Sequence, residues 1–90
     1  MPGITRIEQD TAGGKLVGIL APTVFVNGTN ITVIGDSIQP HPPSPPHNTN
    51  PVMEEGSSTV FAHGIGVCRE GDKANCGHPA TGSDNVFAGD

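Results

Sequence analysis

The sequence predicts an all-β fold, a small pseudo-threefold cone of β-hairpins with a metal site near its apex. Three observations predict this class. A segment built around Val-Phe occurs three times, no stretch has the apolar spacing of about 3.6 residues that marks a helix, and cysteine and histidine residues lie in matching loops. We therefore expect residues 1–90 to form one domain of three quasi-repeats.

Every phenylalanine of the chain lies in one of three similar segments. These are PTVFVNGTNITVIGD (22–36), STVFAHGIGVCREGD (58–72) and DNVFAGD (84–90). Phe25 and Asp36 are 11 residues apart, and so are Phe61 and Asp72, so the unit after each phenylalanine has constant length. A disordered chain has no reason to repeat such spacing. We expect the three Phe rings, with some Val and Ile, to fill the centre of the molecule.

Each unit is predicted to be a hairpin. Asn27-Gly28 is a strong two-residue turn signal because both positions tolerate positive φ, and the flanking segments are rich in β-branched residues. His63-Gly64 occupies the equivalent turn. The third hairpin stops after VFAGD, and the N-terminal PGITRIEQD resembles its missing return strand. The two chain ends should therefore meet.

The connections between the hairpins differ in one copy. The segments Asp10–Val24 and Asp72–Val86 each enclose 13 residues, whereas Asp36–Val60 encloses 23. The extra residues fall in the Pro-rich stretch PHPPSPPHNTNP, residues 40–51, which is predicted to be a loop. At the first Asp turn, Gln9 stands where the other copies have glycine, so we expect an irregular strand end there.

The composition argues against several classes of protein. The net charge of −5 argues against a nucleic-acid partner, which requires a basic face. The longest apolar run, LVGILAP at 16–22, is shorter than the roughly 18 residues of a membrane span. No charged-then-apolar leader opens the chain, so we expect synthesis in the reducing cytoplasm, where two cysteines favour a metal site or a free thiol over a disulfide.

Four residues form the candidate metal site. Cys76 and His78 follow Asp72 by four and six residues, His41 follows Asp36 by five, and His47 lies near the end of the Pro-rich insert. The repeat places all four at one end of the molecule, as a tetrahedral site of three histidines and one cysteine. Zinc accepts these donors, and iron is the alternative metal. A single histidine in such a loop is usually only solvated, and the close Cys-His pair is what favours ligation.

Other polar residues have structural explanations. His63 replaces Asn27 in a turn, and Cys68 sits inside a strand, where a free cysteine behaves as a small buried apolar residue. Asp36 and Asp72 could form an acid pair, but each follows a glycine at a strand end, where Asp commonly caps a turn with its own side chain.

The repeated VFVNG and VFAHG hairpins, the Gly-Asp turns and the ending CGHPATGSDNVFAGD resemble PAAR-repeat proteins. These proteins form the tips of type VI secretion spikes and contractile phage tails, and the resemblance covers essentially the whole chain. It implies a cone with a zinc ion near the apex, whose ligands here would be His41, His47, Cys76 and His78. It also implies that the broad base sits on a trimeric β-helical spike. The segment TAGGKLVG offers no ligand, and with no extension at either end we expect no fused toxin domain.

The leading functional prediction is a structural, non-enzymatic tip that caps and sharpens the spike used to pierce a cell envelope. One chain would bind per spike trimer and touch the target membrane only transiently. It would be made in the cytoplasm and then join a phage virion tail or an exported secretion spike. One alternative is a small zinc-dependent hydrolase, whose local carboxylates would be Glu54 and Glu55. The other is a free-standing metal-binding adaptor.

Overall fold

The computed structural model describes residues 2–41, 49 and 51–89, and in these residues the chain forms short hairpins and isolated β-bridges without a helix. The predicted all-β class is confirmed. Strand β1 (Phe25–Val26) pairs antiparallel with β2 (Thr29–Asn30), and β3 (Phe61–Ala62) pairs with β4 (Ile65–Gly66). Within these ranges there is accordingly no helix of the length and hydropathy needed to cross a membrane.

The two hairpins close through the predicted turns. Asn27 and Gly28 have φ of 52° and 82°, and His63 and Gly64 have φ of 54° and 76°. Two successive residues with positive φ give the turn whose twist matches the twist of the paired strands. The register is the same in both hairpins, since Phe25 faces Asn30 and Phe61 faces Gly66.

The third hairpin is assembled from the two ends of the chain, as predicted. Gly3 pairs with Phe87, in the position that the Phe25–Asn30 pair has in the first copy. The amide of Ala88 also donates to the carbonyl of Pro2 at 3.0 Å. The N-terminal segment is therefore a structural part of the third copy, which comprises residues 84–89 and 2–10.

A closed ring of three backbone hydrogen bonds lies at the centre of the three copies. The amide of Thr5 donates to the carbonyl of Cys68, Cys68 donates to Thr32, and Thr32 donates back to Thr5, at 3.0, 2.9 and 3.0 Å. These three residues are equivalent in the repeat, and all are fully buried. A cyclic exchange of this kind requires three equivalent strands around one axis, which establishes the pseudo-threefold arrangement.

The first Asp turn is irregular, as expected, but the predicted alignment of Gln9 with the turn glycines is wrong. Glu8, with φ of 63°, takes the left-handed position that Gly35 and Gly71 occupy in the other copies. Asp10 then lies one residue further along. Its carboxylate accepts from the amide four residues earlier, whereas the equivalent carboxylates accept from the amide three residues earlier.

Three loops of unequal length follow the Asp turns. Each Asp carbonyl accepts a hydrogen bond from the residue that closes its loop, and these pairs are Asp10–Leu16, Asp36–Met53 and Asp72–Ala80. The N-terminal loop (11–15) therefore has 5 residues, the insert loop (37–52) has 16 and the C-terminal loop (73–79) has 7. We call this the loop end of the molecule, and the opposite part, with the turns of the hairpins, the hairpin end. Most of the predicted Pro-rich insert lies outside the described residues.

The prediction that the phenylalanines fill the centre is wrong. Phe25, Phe61 and Phe87 are 58%, 56% and 48% exposed. Along a strand successive side chains point to opposite faces, and here the residue after each phenylalanine faces inward. The hairpin-end core is built from these and other small or β-branched residues, namely Ile4, Ala21, Val26, Ile31, Val33, Ala62, Val67 and Ala88. A second core under the loops contains Ile7, Ala12, Leu16, Ile38, Met53, Cys68, Ala74 and Ala80.

Candidate metal centre

Three of the four predicted ligands meet at the loop end. His41, Cys76 and His78 each offer one ligand atom, and these atoms lie within 4.8 Å of one another. All three side chains are half-buried. The fourth predicted ligand, His47, lies outside the described residues. His41, Cys76 and His78 thus form a group that could hold a metal ion, and ligation by the full set of four stays a prediction.

A tight turn in the C-terminal loop brings Cys76 and His78 together. The amide of Gly77 donates to the carbonyl of Ala74 at 2.9 Å, and Ala74 in turn donates to the carbonyl of His78 at 3.0 Å. Gly77 has φ of 92°, a conformation that few residues with a side chain adopt. The turn is fixed to the insert loop by a hydrogen bond from the amide of Asn75 to Val52, so the two candidate ligands stand on a closed backbone structure.

His41 is oriented by its own loop. Its Nδ1 lies 3.2 Å from the carbonyl oxygen of Gln39, and Nδ1–H donation there makes Nε2, which faces Cys76 Sγ at 3.8 Å, the nitrogen that could bind a metal. Metal-binding histidines commonly use the second ring nitrogen in this way, which fixes the tautomer and the direction of the ring. The amide of Gln39 is itself held by the carbonyl of Lys15, at 2.7 Å.

The spacing of the donor atoms fits zinc. Zn–N and Zn–S bonds of about 2.05 and 2.3 Å at a tetrahedral angle place the two donors about 3.6 Å apart. The observed distance from His41 Nε2 to Cys76 Sγ is 3.8 Å. The rings of His41 and His78 meet edge to face, with centroids 4.9 Å apart and planes inclined by 79°. One thiolate and several imidazoles form the mixed donor set that structural zinc sites use.

The N-terminal loop forms a third wall of the site without contributing a ligand. Its Gly13 and Gly14 lie against the rings of His41 and His78. The absence of a ligand from this loop was predicted, but the contact was not. Two adjacent glycines in a short loop are the signal that could have indicated a close approach of the backbone to other groups.

The two residues excluded from the site on sequence grounds lie elsewhere. Cys68 is fully buried, its Sγ lies 3.3 Å from the carbonyl of Glu55, and burial raises its pKa far above the ordinary range of a thiol. His63 is exposed in its turn, with Nε2 at 2.6 Å from the hydroxyl of Thr23. Both observations agree with the structural roles predicted for them.

The three repeated aspartates cap turns, as predicted for two of them, but their surroundings differ. Asp10 pairs with Arg6 and Asp72 with Arg69, at 2.8 and 2.9 Å. Asp36 is fully buried and accepts hydrogen bonds from the backbone amides of Val33 and Leu20, at 2.7 and 3.0 Å. The equivalent of the two arginines in this copy is Val33.

The pKa values of two of these carboxyl groups shift in opposite directions. Burial alone would raise the pKa of Asp10, but hydrogen bonds from Arg6 and Thr81 outweigh it and lower that pKa. Burial raises the pKa of Asp36, and the two backbone hydrogen bonds offset only part of the effect. These groups differ because an arginine is present in one copy and absent from the other.

Glu55, through its carboxylate and amide, and Glu54, through its amide, bind the backbone of Lys73 in the C-terminal loop. The Glu55 carboxylate accepts a hydrogen bond from the amide of Lys73 at 2.9 Å. The amides of both glutamates donate to the Lys73 carbonyl, at 3.1 Å each. Among the described residues, the group that could hold a metal includes no carboxylate. This arrangement does not favour the hydrolase alternative, which needs a general base beside the ion.

The hairpin end presents the same exposed feature in each copy. The three exposed phenylalanines occupy equivalent positions, and the residue before each of them, Val24, Val60 or Val86, is half-buried and packs against the hairpin-end core. Side chains connect neighbouring copies, since His63 contacts Thr23 and Asn27 donates to Asn85 at 3.0 Å. The result is a ring of apolar side chains around the pseudo-threefold axis.

The chain is a pseudo-threefold all-β body with a candidate metal centre at one end and an apolar ring at the other. The family model of the PAAR motif matches residues 8–82, and the chain belongs to this family. Family membership implies a structural role at the tip of a spike, as in type VI secretion systems and contractile phage tails. A search of curated proteins gives no significant match.

Proposed function

We propose that this protein is a non-catalytic spike tip, which caps a trimeric β-helical spike with its hairpin end and leads with a zinc-stapled loop end. The observation that carries the proposal is the repetition of an exposed phenylalanine in three equivalent positions around one axis. A symmetric partner needs matching contacts on each of its subunits, and one chain with three copies supplies them. The binding ratio is one chain per spike trimer.

The exposed rings are suited to docking. Aromatic side chains lose little conformational entropy on binding and bury a large apolar area, so they are frequent anchors of protein interfaces. On this protein they are about half exposed although smaller residues fill the core, which leaves them available for a partner. The valine before each phenylalanine is half-buried against the core, so the backbone that carries each ring is anchored there.

The zinc ion has a mechanical role in this proposal. A chain of 90 residues buries little apolar surface, and binding of structural zinc contributes folding free energy on the order of 10 kcal/mol in small domains. His41, Cys76 and His78 would hold the ion together with His47. The ion would join the insert loop to the C-terminal loop, so that the leading end resists unfolding when the spike crosses an envelope.

The docking site can be tested with a matched pair of triple variants. Phe25→Ser, Phe61→Ser and Phe87→Ser together should abolish binding to the trimeric β-helical spike. The control replaces Val17, Ile19 and Leu20 by Ser. These residues are 42–51% exposed, close to the 48–58% of the phenylalanines, but belong to one copy only. Native mass spectrometry of the mixtures should show one control chain per spike trimer and no complex with the phenylalanine variant.

Three outcomes contradict the proposal. Three chains per spike trimer would mean that the pseudo-symmetry has no role in docking. Loss of binding in the control but not in the phenylalanine variant would place the interface on the flank of the first copy. A chain that binds zinc but no spike would instead be a free-standing metal-binding adaptor.

By the same proposal, the chain is made in the cytoplasm and reaches its place of action as part of a phage tail or an exported secretion spike. Contact with the target membrane is transient and mechanical. The acidic net charge of −5 gives no support for nucleic-acid binding.

A further inference from the structure

Gly13, in the N-terminal loop, lies against two of the candidate ligands, His41 and His78. A Cβ atom built on Gly13 would lie 2.6 Å from His41 Nε2 and 2.7 Å from both Cγ and Nδ1 of His78. Real Cβ atoms essentially never approach a heavy atom within 3.0 Å. Nε2 is the atom that His41 would present to a metal in the centre proposed above. A methyl group here would therefore displace one or both imidazoles.

Gly14 lies on the Nδ1 side of the His41 ring. A Cβ atom at Gly14 would lie 3.0 Å from His41 Nδ1 and would collide with the carbonyl of Gln39. These two atoms are the partners in the contact that orients His41. The glycine pair thus keeps both nitrogens of one imidazole clear, one for the ion and one for its hydrogen bond.

The constraint at Gly13 exceeds what its backbone conformation requires. Gly13 has φ of 87°, and Gly71 has a similar φ of 93°, so a side chain is strained at both. Only at Gly13 would it also meet other groups, because a Cβ at Gly71 has nothing within 4 Å. The difference separates a glycine needed for a turn from one that is also needed for close packing against the candidate ligands.

We infer that Gly13, supported by Gly14, is a positioning residue of the metal centre, which admits His41 and His78 to a common ion by leaving the space between them free of any side chain. This inference rests on the zinc centre proposed above and goes beyond it, since neither glycine is a ligand. It explains why a loop without a ligand contacts the site at all. The N-terminal loop leaves space for the two imidazoles, and the other two loops carry the candidate donor atoms.

The test compares Gly13→Ala with Gly71→Ala, which carries the same strain in φ but no contact. Zinc affinity is measured by competition with a chromogenic chelator. Gly13→Ala should bind Zn²⁺ about tenfold or more weakly than Gly71→Ala, the size of effect expected when the surroundings of a metal ligand are disturbed. The visible spectrum of the Co²⁺-loaded proteins gives a second measurement, because loss of an imidazole changes the ligand-field bands.

A merely structural role predicts a different result. Strain alone would lower the free energy of unfolding of both variants equally and leave the zinc affinity and Co²⁺ spectrum of Gly13→Ala the same as those of Gly71→Ala, which would overturn the inference. If Gly13→Ala does not fold, Gly14→Ala replaces it, because Gly14 does not have a left-handed φ and its Ala variant tests the supporting contact, on the Nδ1 side of the His41 ring, without that strain. A Gly14→Ala variant with unaltered zinc affinity would then overturn the inference.

Zinc binding by the unsubstituted chain distinguishes a failure of this inference from a failure of the proposed zinc centre. An unsubstituted chain that binds no zinc would contradict the metal centre itself. An unsubstituted chain that binds one zinc ion, together with equal affinities of Gly13→Ala and Gly71→Ala, would contradict only the role of the glycines.

Discussion

The threefold repeat is regular at the hairpin end of this protein and irregular at the loop end. At the hairpin end the register and the exposed phenylalanine recur in all three copies, and the tight turn recurs in the two copies that are continuous in the chain. At the loop end the three loops have 5, 16 and 7 residues and contribute different groups. The central ring of hydrogen bonds through Thr5, Thr32 and Cys68 is common to both ends.

Coordination chemistry gives a physical reason for this difference. A tetrahedral ion takes four ligands, and three identical loops can supply three or six but not four. The N-terminal loop offers none, and the predicted ligands are Cys76 and His78 from the C-terminal loop and His41 and His47 from the insert loop. The three copies can stay alike at the hairpin end, where they pack on one another or on a threefold partner. They have to differ at the loop end if they surround one tetrahedral ion.

Removal of the N-terminal strand should have the largest effect, because it opens the central ring of hydrogen bonds that is common to the hairpin end and the loop end. Deleting residues 1–7 removes Thr5 from the central ring and Gly3 from its bridge to Phe87. We expect the truncated chain to lose its β-structure by circular dichroism. Adding a peptide of residues 1–10 should restore part of the signal. A truncated chain with the urea midpoint of the full protein would contradict the closed ring.

The next largest effect should come from replacing the cysteines, because Cys76 lies in the candidate metal centre at the loop end and Cys68 lies in the central ring of hydrogen bonds. Cys76→Ser should lose the metal and most of the folding free energy that it contributes, on the order of 10 kcal/mol. Cys68→Ser should keep one metal ion per chain, because a serine hydroxyl can donate to the Glu55 carbonyl as Thr5 Oγ1 donates to the Thr81 carbonyl in the equivalent position. Metal analysis of both purified variants checks this. Metal loss in Cys68→Ser with retention in Cys76→Ser would reverse the assignment.

Two aspartates should respond differently to substitution and to acid. At pH 7, Asp10→Asn should cost about 2 kcal/mol, since it leaves a half-buried arginine without its partner. Asp36→Asn should cost no more than about 1 kcal/mol, because it exchanges one backbone hydrogen bond for relief of a buried charge. Urea unfolding at pH 7 and pH 3 measures both. Equal costs at pH 7 would mean that the arginine does not distinguish the copies.

The acid dependence of these costs follows from the two pKa shifts. The lowered pKa of Asp10 contributes stability above the unfolded-state pKa of about 3.9, and this contribution is lost as the pH falls through the folded-state pKa. The raised pKa of Asp36 acts oppositely, because its ionisation costs stability as the pH rises from about 3.9 through the folded-state pKa. The cost of Asp10→Asn should shrink toward pH 3, and the cost of Asp36→Asn should grow. All variants retain the candidate metal ligands, so metal release affects them alike.

The smallest effect on stability should come from a single phenylalanine at the hairpin end. Phe61→Ser should lower the free energy of unfolding by about 1 kcal/mol or less, because more than half of the side chain is already exposed. Thermal unfolding of the variant checks this. The control is Val67→Ser, which changes a fully buried residue of the neighbouring core and should cost several times more. A larger loss for Phe61 than for Val67 would mean that the ring is a core residue.

The backbone of this fold could be predicted better than its packing. The pairs Asn27-Gly28 and His63-Gly64 identify the turns because their conformational preferences are local. The direction of a strand's faces is not local, and alternation allows either Phe25 or Val26 to face inward. Ala62 and Ala88 occupy the equivalent inward positions, and because they are small, the phenylalanines beside them were the more obvious core candidates in the sequence.

The candidate site was predicted where repeat spacing places chemically distinctive residues together, as for His41, Cys76 and His78. The role of Gly13 could not be predicted in this way, because it depends on where another loop's rings lie. The left-handed Glu8 was missed for a related reason. A glycine signals positive φ in a sequence, whereas a glutamate that adopts it does so because the surrounding hydrogen bonds hold it there.

The most direct test of the central claim, that one chain forms both a threefold base and an asymmetric metal end, is native mass spectrometry of the purified protein in zinc-containing buffer. We predict a monomer that carries one zinc ion. The three copies are then held within one chain, and the loop end binds a single metal. A trimer of chains would contradict the pseudo-symmetric base, and a monomer without metal would contradict the zinc-stapled tip.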